Sequence, residues 1–103
     1  MDGHQLEVRP DQLRNWAAVH DRAAASCAAA RADGEQTLAA ARSWGPQFYE
    51  ARRAAEEVVA ARDATMAAQQ RRHEEMARQL RAAADQFEAM DAANRDRLTM
   101  RAE

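Results

Sequence analysis

Between Pro10 and Trp44 the positions suited to a buried seam recur at alternating steps of three and four: Leu13, Trp16, His20, Ala23, Cys27, Ala30, Gly34, Thr37, Ala41 and Trp44. That spacing is a heptad pattern on one helix, predicted over 10–43. Beyond the segment SWGPQF, Val59, Met66, His73, Leu80 and Phe87 recur every seven residues, with Ala55, Arg62, Gln69, Met76, Ala83 and Met90 as a second column. The same rule predicts a second helix over 47–100. No stretch shows the period-two alternation of a strand.

The breaking residues fall where two helices need them. Residues 1–9 read as a loose leader with Leu6 and Val8 as its large apolar anchors. Pro10 suits the first position of a helix, and Asp11 in that turn favours the helix dipole. Gly34 costs about 1 kcal/mol relative to alanine inside a helix, and the helix is expected to continue through it. At the corner, Trp44-Gly45-Pro46, a left-handed Gly45 is expected to stop the first helix and Pro46 to open the next.

A corner of three residues folds the helices antiparallel, with positions whose numbers sum to about 90 lying opposite each other. The first helix then covers the second to about residue 80. From about 81 onward the second helix overhangs, carrying Phe87, Met90 and Leu98. The expected fold is all-α: a single domain over 1–103, an antiparallel two-helix hairpin with a longer second helix, associating into a four-helix bundle.

Composition explains why association is part of that expectation. Alanine dominates the apolar residues, whereas Leu, Val and Phe together are about a tenth of the chain and Ile is absent. Ordering about 100 residues costs on the order of 100–200 kcal/mol, and each well-buried large apolar side chain returns only ~1.5–3 kcal/mol. A homodimer or a heterodimer with another helical hairpin supplies the missing burial. The 15 basic residues, all arginine, interleave with 17 acidic ones. No basic face results, which argues against a nucleic-acid partner. No apolar run reaches the roughly 20 residues of a membrane span, and the N-terminus lacks the charged-then-apolar order of a Sec signal peptide.

Candidate chemistry is sparse. His20 and His73 lie on the two seams at positions that bring them near each other, and a partly buried pair is the expected reading, since no further metal ligands are evident. The segment His73-Glu74-Glu75-Met76-Ala77 lacks the second histidine of a zincin motif. Cys27 is read as a small buried hydrophobe, with an interchain disulfide as the alternative. Arg52-Arg53 and Arg71-Arg72 read as solvated faces, and Glu74 with Arg78 and Asp91 with Arg95 as surface pairs. Three glycines leave no phosphate-cradling loop, and Ser26 and Ser43 have no evident base. A non-enzyme without cofactor or metal is expected.

The L-x-V-x-P-x-x-L opening (Leu6, Val8, Pro10, Leu13), His20-Asp21 followed by Ala23 and Ala24, Gly45-Pro46 at the corner, and an aromatic-x-x-x-acid element (Phe87, Asp91) occur in an order that spans nearly the whole chain. In this the chain resembles the EspC-like proteins associated with ESX (type VII) secretion in mycobacteria and related actinobacteria, which are akin to the WXG-type helical hairpins. The resemblance implies export by, or association with, type VII machinery, to the envelope or medium without a cleavable signal peptide. It gives Phe87 and Asp91 the place of the Tyr-x-x-x-acid export element, with phenylalanine lacking the tyrosine hydroxyl. Trp44 and Gly45 are adjacent here, whereas WXG proteins have one residue between them. Two readings of Trp44 stay open: a plug on the hairpin end, or half of a surface completed by a partner. The alternatives for the whole chain are a cytoplasmic targeting chaperone for a larger secreted effector and a generic coiled-coil scaffold.

Overall fold

The structure, a computed structural model, describes residues 8–102; Leu6 and the rest of the leader through residue 7 lie outside the described residues. Among the described residues there are two long helices and no strand: α1, Pro10–Arg42, and α2, Tyr49–Ala102, joined through a short 3-10 turn at Pro46–Phe48. The particle is a rod of 86 × 29 × 14 Å. Among the described residues no helix is long and apolar enough to cross a membrane.

α1 opens with Pro10 at its first position and Asp11 in its first turn. Gln12 Oε1 reaches back to accept from the Arg9 N–H at 3.3 Å, which satisfies one of the donors a helix start leaves free. The helix runs unbroken through Gly34. There the missing side chain matters, because a Cβ on Gly34 would stand 3.1 Å from Val59 Cγ1 of α2.

The two helices run in opposite directions, as a ladder of contacts from end to end records: Arg14 with Glu88, Asp21 with Arg81, His20 with His73, Arg31 with Asp63. Paired numbers sum to about 93 or more rather than 90. The reversal is longer than the three-residue corner expected from the sequence, since α1 ends at Arg42 and α2 begins only at Tyr49. Coverage therefore extends to Ala84, which is fully buried, and through Arg14 to Glu88, so the uncovered part of α2 starts beyond these residues and not at about 81.

The corner differs from expectation in mechanism as well. Gly45 is extended, with φ −70° and ψ 172°, and no described glycine has a positive φ. Steric pressure from Pro46 on the preceding residue favours this extended state. α1 ends instead by tightening: Ser43 N–H bonds to Ala40 O and Trp44 N–H to Ala41 O, both at 3.1 Å, and Ser43 Oγ donates to Ala40 O at 2.6 Å. Phe48 N–H then donates to Gly45 O at 2.9 Å and starts the second helix.

Side-chain burial locates the true seam. On α1 the buried positions are Leu13, Ala17, Ala24, Cys27 and Ala41, with His20, Arg31, Gly34 and Leu38 half-buried between them. On α2 they are Ala77 and Ala84, continued by Val59, Asp63, Met66, Gln70, His73 and Leu80 at half burial. One column of each helix is thus the one read from the sequence. The other is displaced by a single residue, so Ala17 and not Trp16, and Ala77 and not Met76, face the partner helix. Alanines here let the backbones approach; an indole at position 17 would hold them apart. Trp16 accordingly stands 49% exposed.

Two substitutions check this account by thermal unfolding. Ala17→Leu should cost about 1–3 kcal/mol through overpacking of the seam. Gly45→Ala should be neutral or stabilise by up to about 1 kcal/mol, because its backbone is already that of an ordinary residue and its Cβ would meet only the movable end of Gln47. A loss of about 2 kcal/mol or more for Gly45→Ala would show that the corner requires glycine.

Candidate functional site

An alanine seam sorts the remaining side chains onto two flanks. One flank holds charge. Arg14 donates to Glu88 at 2.6 and 3.0 Å and to Asp85 at 2.9 Å. Arg81 pairs with Asp21, and Arg31 donates to Asp63 at 2.9 Å and to Gln70 at 3.3 Å. These cross-helix pairs were not singled out in the sequence. Their signal was available, because Arg14, Asp21, Glu74, Arg81 and Glu88 each directly follow a residue of the seven-residue columns, where coiled coils place interhelical charges. Along α2 itself, Arg78 pairs with Glu75 rather than Glu74, whose carboxylate accepts from Gln70.

These bonds set the protonation of the flank. Hydrogen bonding to Arg81 holds the Asp21 carboxyl below its ordinary range, and hydrogen bonding to Arg14 does the same for Glu88, against a smaller opposing effect of desolvation. The same pairs raise the guanidinium groups of Arg14 and Arg81, which stay charged throughout.

The opposite flank is apolar. Trp16, Val19, Met76 and Met90 stand between 43% and 58% exposed along it. At the corner end Trp44, Phe48 and Ala51 line a shallow hollow. Trp44 is 42% exposed and so is not sealed into the end of the helix pair.

The other sequence-derived sites resolve individually. His20 and His73 meet, with Nδ1 atoms 2.9 Å apart and ring centroids at 5.1 Å; one ring donates and the other accepts. Among the described residues no third His, Cys, Asp or Glu completes a metal-binding group with them. Cys27 is buried in the seam with Sγ 4.0 Å from Gln69 Oε1, which withholds the thiol from a second chain. Phe87 is 40% exposed and Asp91 is exposed, four apart on α2 and hence on one side of it. Val59, Met66 and Leu80 lie half-buried on the seam.

Taken together, the described chain is a long, strandless helical rod whose chemistry-bearing side chains form surfaces. The family model for the excreted virulence factor EspC, type VII ESX diderm, matches residues 3–100, and the chain belongs to this family. It is thereby associated with type VII (ESX) secretion. No curated protein and no solved structure matches it.

The charged flank predicts the response to acid. Because the folded-state values of Asp21 and Glu88 are depressed, their contribution is complete above the ordinary carboxylate range and is lost as pH falls from that range through the depressed folded-state values. Thermal unfolding followed by circular dichroism should show a lower midpoint at pH 2.5 than at pH 6, and Arg14→Gln should shrink the difference. An equal acid response in Arg14→Gln would remove this pair from the explanation.

Proposed function

We propose that this protein is a non-enzymatic helical factor exported by, or working alongside, a type VII (ESX) secretion system, and that it acts through helix–helix association. The family match over residues 3–100 carries this reading. Supporting it is the thinness of the core: among the described residues no large side chain is fully buried. A rod so built gains most of its further stability by covering its apolar flank with other helices, as in a four-helix bundle formed by a homodimer or heterodimer.

Phe87 and Asp91 are the proposed export element. Both are accessible on one side of α2, near the limit of its coverage by α1, where a translocase can reach an aromatic ring and a carboxylate together. An aromatic ring supplies apolar contact area, and a carboxylate adds a charge-assisted hydrogen bond to a receptor arginine or backbone N–H. Trp44, at the far end of the rod, is proposed as part of the partner-binding surface rather than of the export element.

The test is the distribution of the protein between cells and culture filtrate in a host with an intact ESX system and in one lacking the translocase. Wild-type protein should reach the filtrate only with the intact system. The double variant Phe87→Ala, Asp91→Ala should be retained, with filtrate levels reduced at least tenfold. Unchanged export of the double variant would sink the assignment of the element. Wild-type protein found only in the cell pellet would favour the cytoplasmic chaperone over the exported factor.

A further inference from the structure

The apolar flank contains a pattern that specifies its occupant. Displacement of the seam by one residue leaves a column bordering it on the side away from the ion pairs: Phe48 at the corner and, on α2, Ala55, Arg62, Gln69, Met76, Ala83 and Met90, seven residues apart, with Ala55, Gln69 and Ala83 half-buried and the others exposed. Read from either end toward Gln69, this column runs large apolar, alanine, long side chain, glutamine. We infer that this face binds a second copy of the same chain, antiparallel, about a two-fold axis at Gln69.

In that register Phe48 of one copy covers Met90 of the other, Ala55 meets Ala83, Arg62 lies along Met76, and the axis passes at Gln69, whose Oε1 lies 4.0 Å from Cys27 Sγ of its own chain. The first helix supplies an independent check. An axis at Gln69 crosses α1 near position 23, since paired numbers sum to about 93 near the middle of the rod. About Ala23, the bulky Trp16 of one copy falls opposite Ala30 of the other, a large side chain over a small one. Arg62, level with Ala30 on the neighbouring helix, then comes within reach of the indole face. Both helices thus call for the same axis, and an isologous interface of this type closes as a dimer.

The area available agrees with this. The chain exposes 7900 Å², whereas a compact chain of 11.5 kDa exposes about 5800 Å². The excess over the whole chain, about 2100 Å², exceeds the roughly 800 Å² per partner that a standard interface buries. The opposite flank is unsuited to the role, because its arginines and carboxylates are already paired within the chain.

This inference specifies the association proposed above and is independent of export: it is tested on purified protein, so a failure of either leaves the other standing. In a Cys27→Ser background, the double variant Phe48→Cys, Met90→Cys is treated with a short bismaleimide. The two positions are about 63 Å apart along α2, so a 48-to-90 crosslink can form only between chains. Expected are a covalent dimer containing the 48-to-90 peptide, little dimer from Phe48→Cys alone, and little from Glu74→Cys on the charged flank. Light scattering on unmodified protein should give a dimer at micromolar concentration. Met76→Glu should weaken it at least tenfold, and Arg78→Ala should leave it unchanged. A folded wild-type monomer, abundant 48-to-48 crosslinks or dimerisation through Glu74→Cys would each overturn the inference.

Discussion

The close approach of two alanine-lined helices governs the rest of this structure. Ala17 and Ala84 are each fully buried, and Gly34 lies so near Val59 that even a methyl group there would press on it. Contact this tight gains dispersion energy from backbone and methyl groups, but it buries little area per residue and has no room for an indole or a phenyl ring. The bulkier Trp16, Met76 and Met90 stand outside it, whereas Leu13, Val59, Met66 and Leu80 border it. The first three lie on the flank away from the cross-helix ion pairs, so an exposed, mainly apolar face is a consequence of how the seam is built.

The ion pairs are the other half of the same arrangement. A seam of small residues fixes helix separation well and sliding poorly, because one alanine fits opposite another at several registers. Arg14 with Asp85 and Glu88, Asp21 with Arg81, and Arg31 with Asp63 select one register by charge complementarity. Exposed pairs of this kind contribute little to stability, and salt screens them. Their value here lies in specificity: sliding by one turn would place Arg14 away from its carboxylates and leave His20 without His73.

Much of the fold was legible in the sequence, and the part that was not has a physical cause. The heptad recurrence gave two helices and one correct column in each, and the numbers of His20 and His73 placed them near each other. The second column was read one residue too early because a three-then-four step and a four-then-three step have the same period. On α1 the competing columns are Trp16, Ala23, Ala30 and Thr37 against Ala17, Ala24, Arg31 and Leu38, and with alanines in both and an arginine in the true one, hydrophobicity does not choose clearly. Trp16 drew the assignment toward itself by its size, and size is what excludes it. The corner misled for a similar reason: Gly45 has the freedom to be left-handed, but Pro46 constrains it to an extended backbone and Ser43 closes the helix without it. Of the candidate site, Phe87 and Asp91 were found through resemblance, whereas the charged flank was missed for want of a register in which to pair it.

The same displacement carries the functional consequence. Had Trp16, Met76 and Met90 faced the seam, the rod would hold its largest apolar groups inside and present a mixed polar surface, and nothing in it would require another chain. With alanines inside, the chain separates two tasks that a conventional core combines: the seam sets the geometry of the rod, and the outer column stores the apolar area that can be released only by association. Such a division suits a protein of a secretion family, because a rod held by a thin seam and surface charge costs little to open, while its assembled form gains the burial that the single chain lacks.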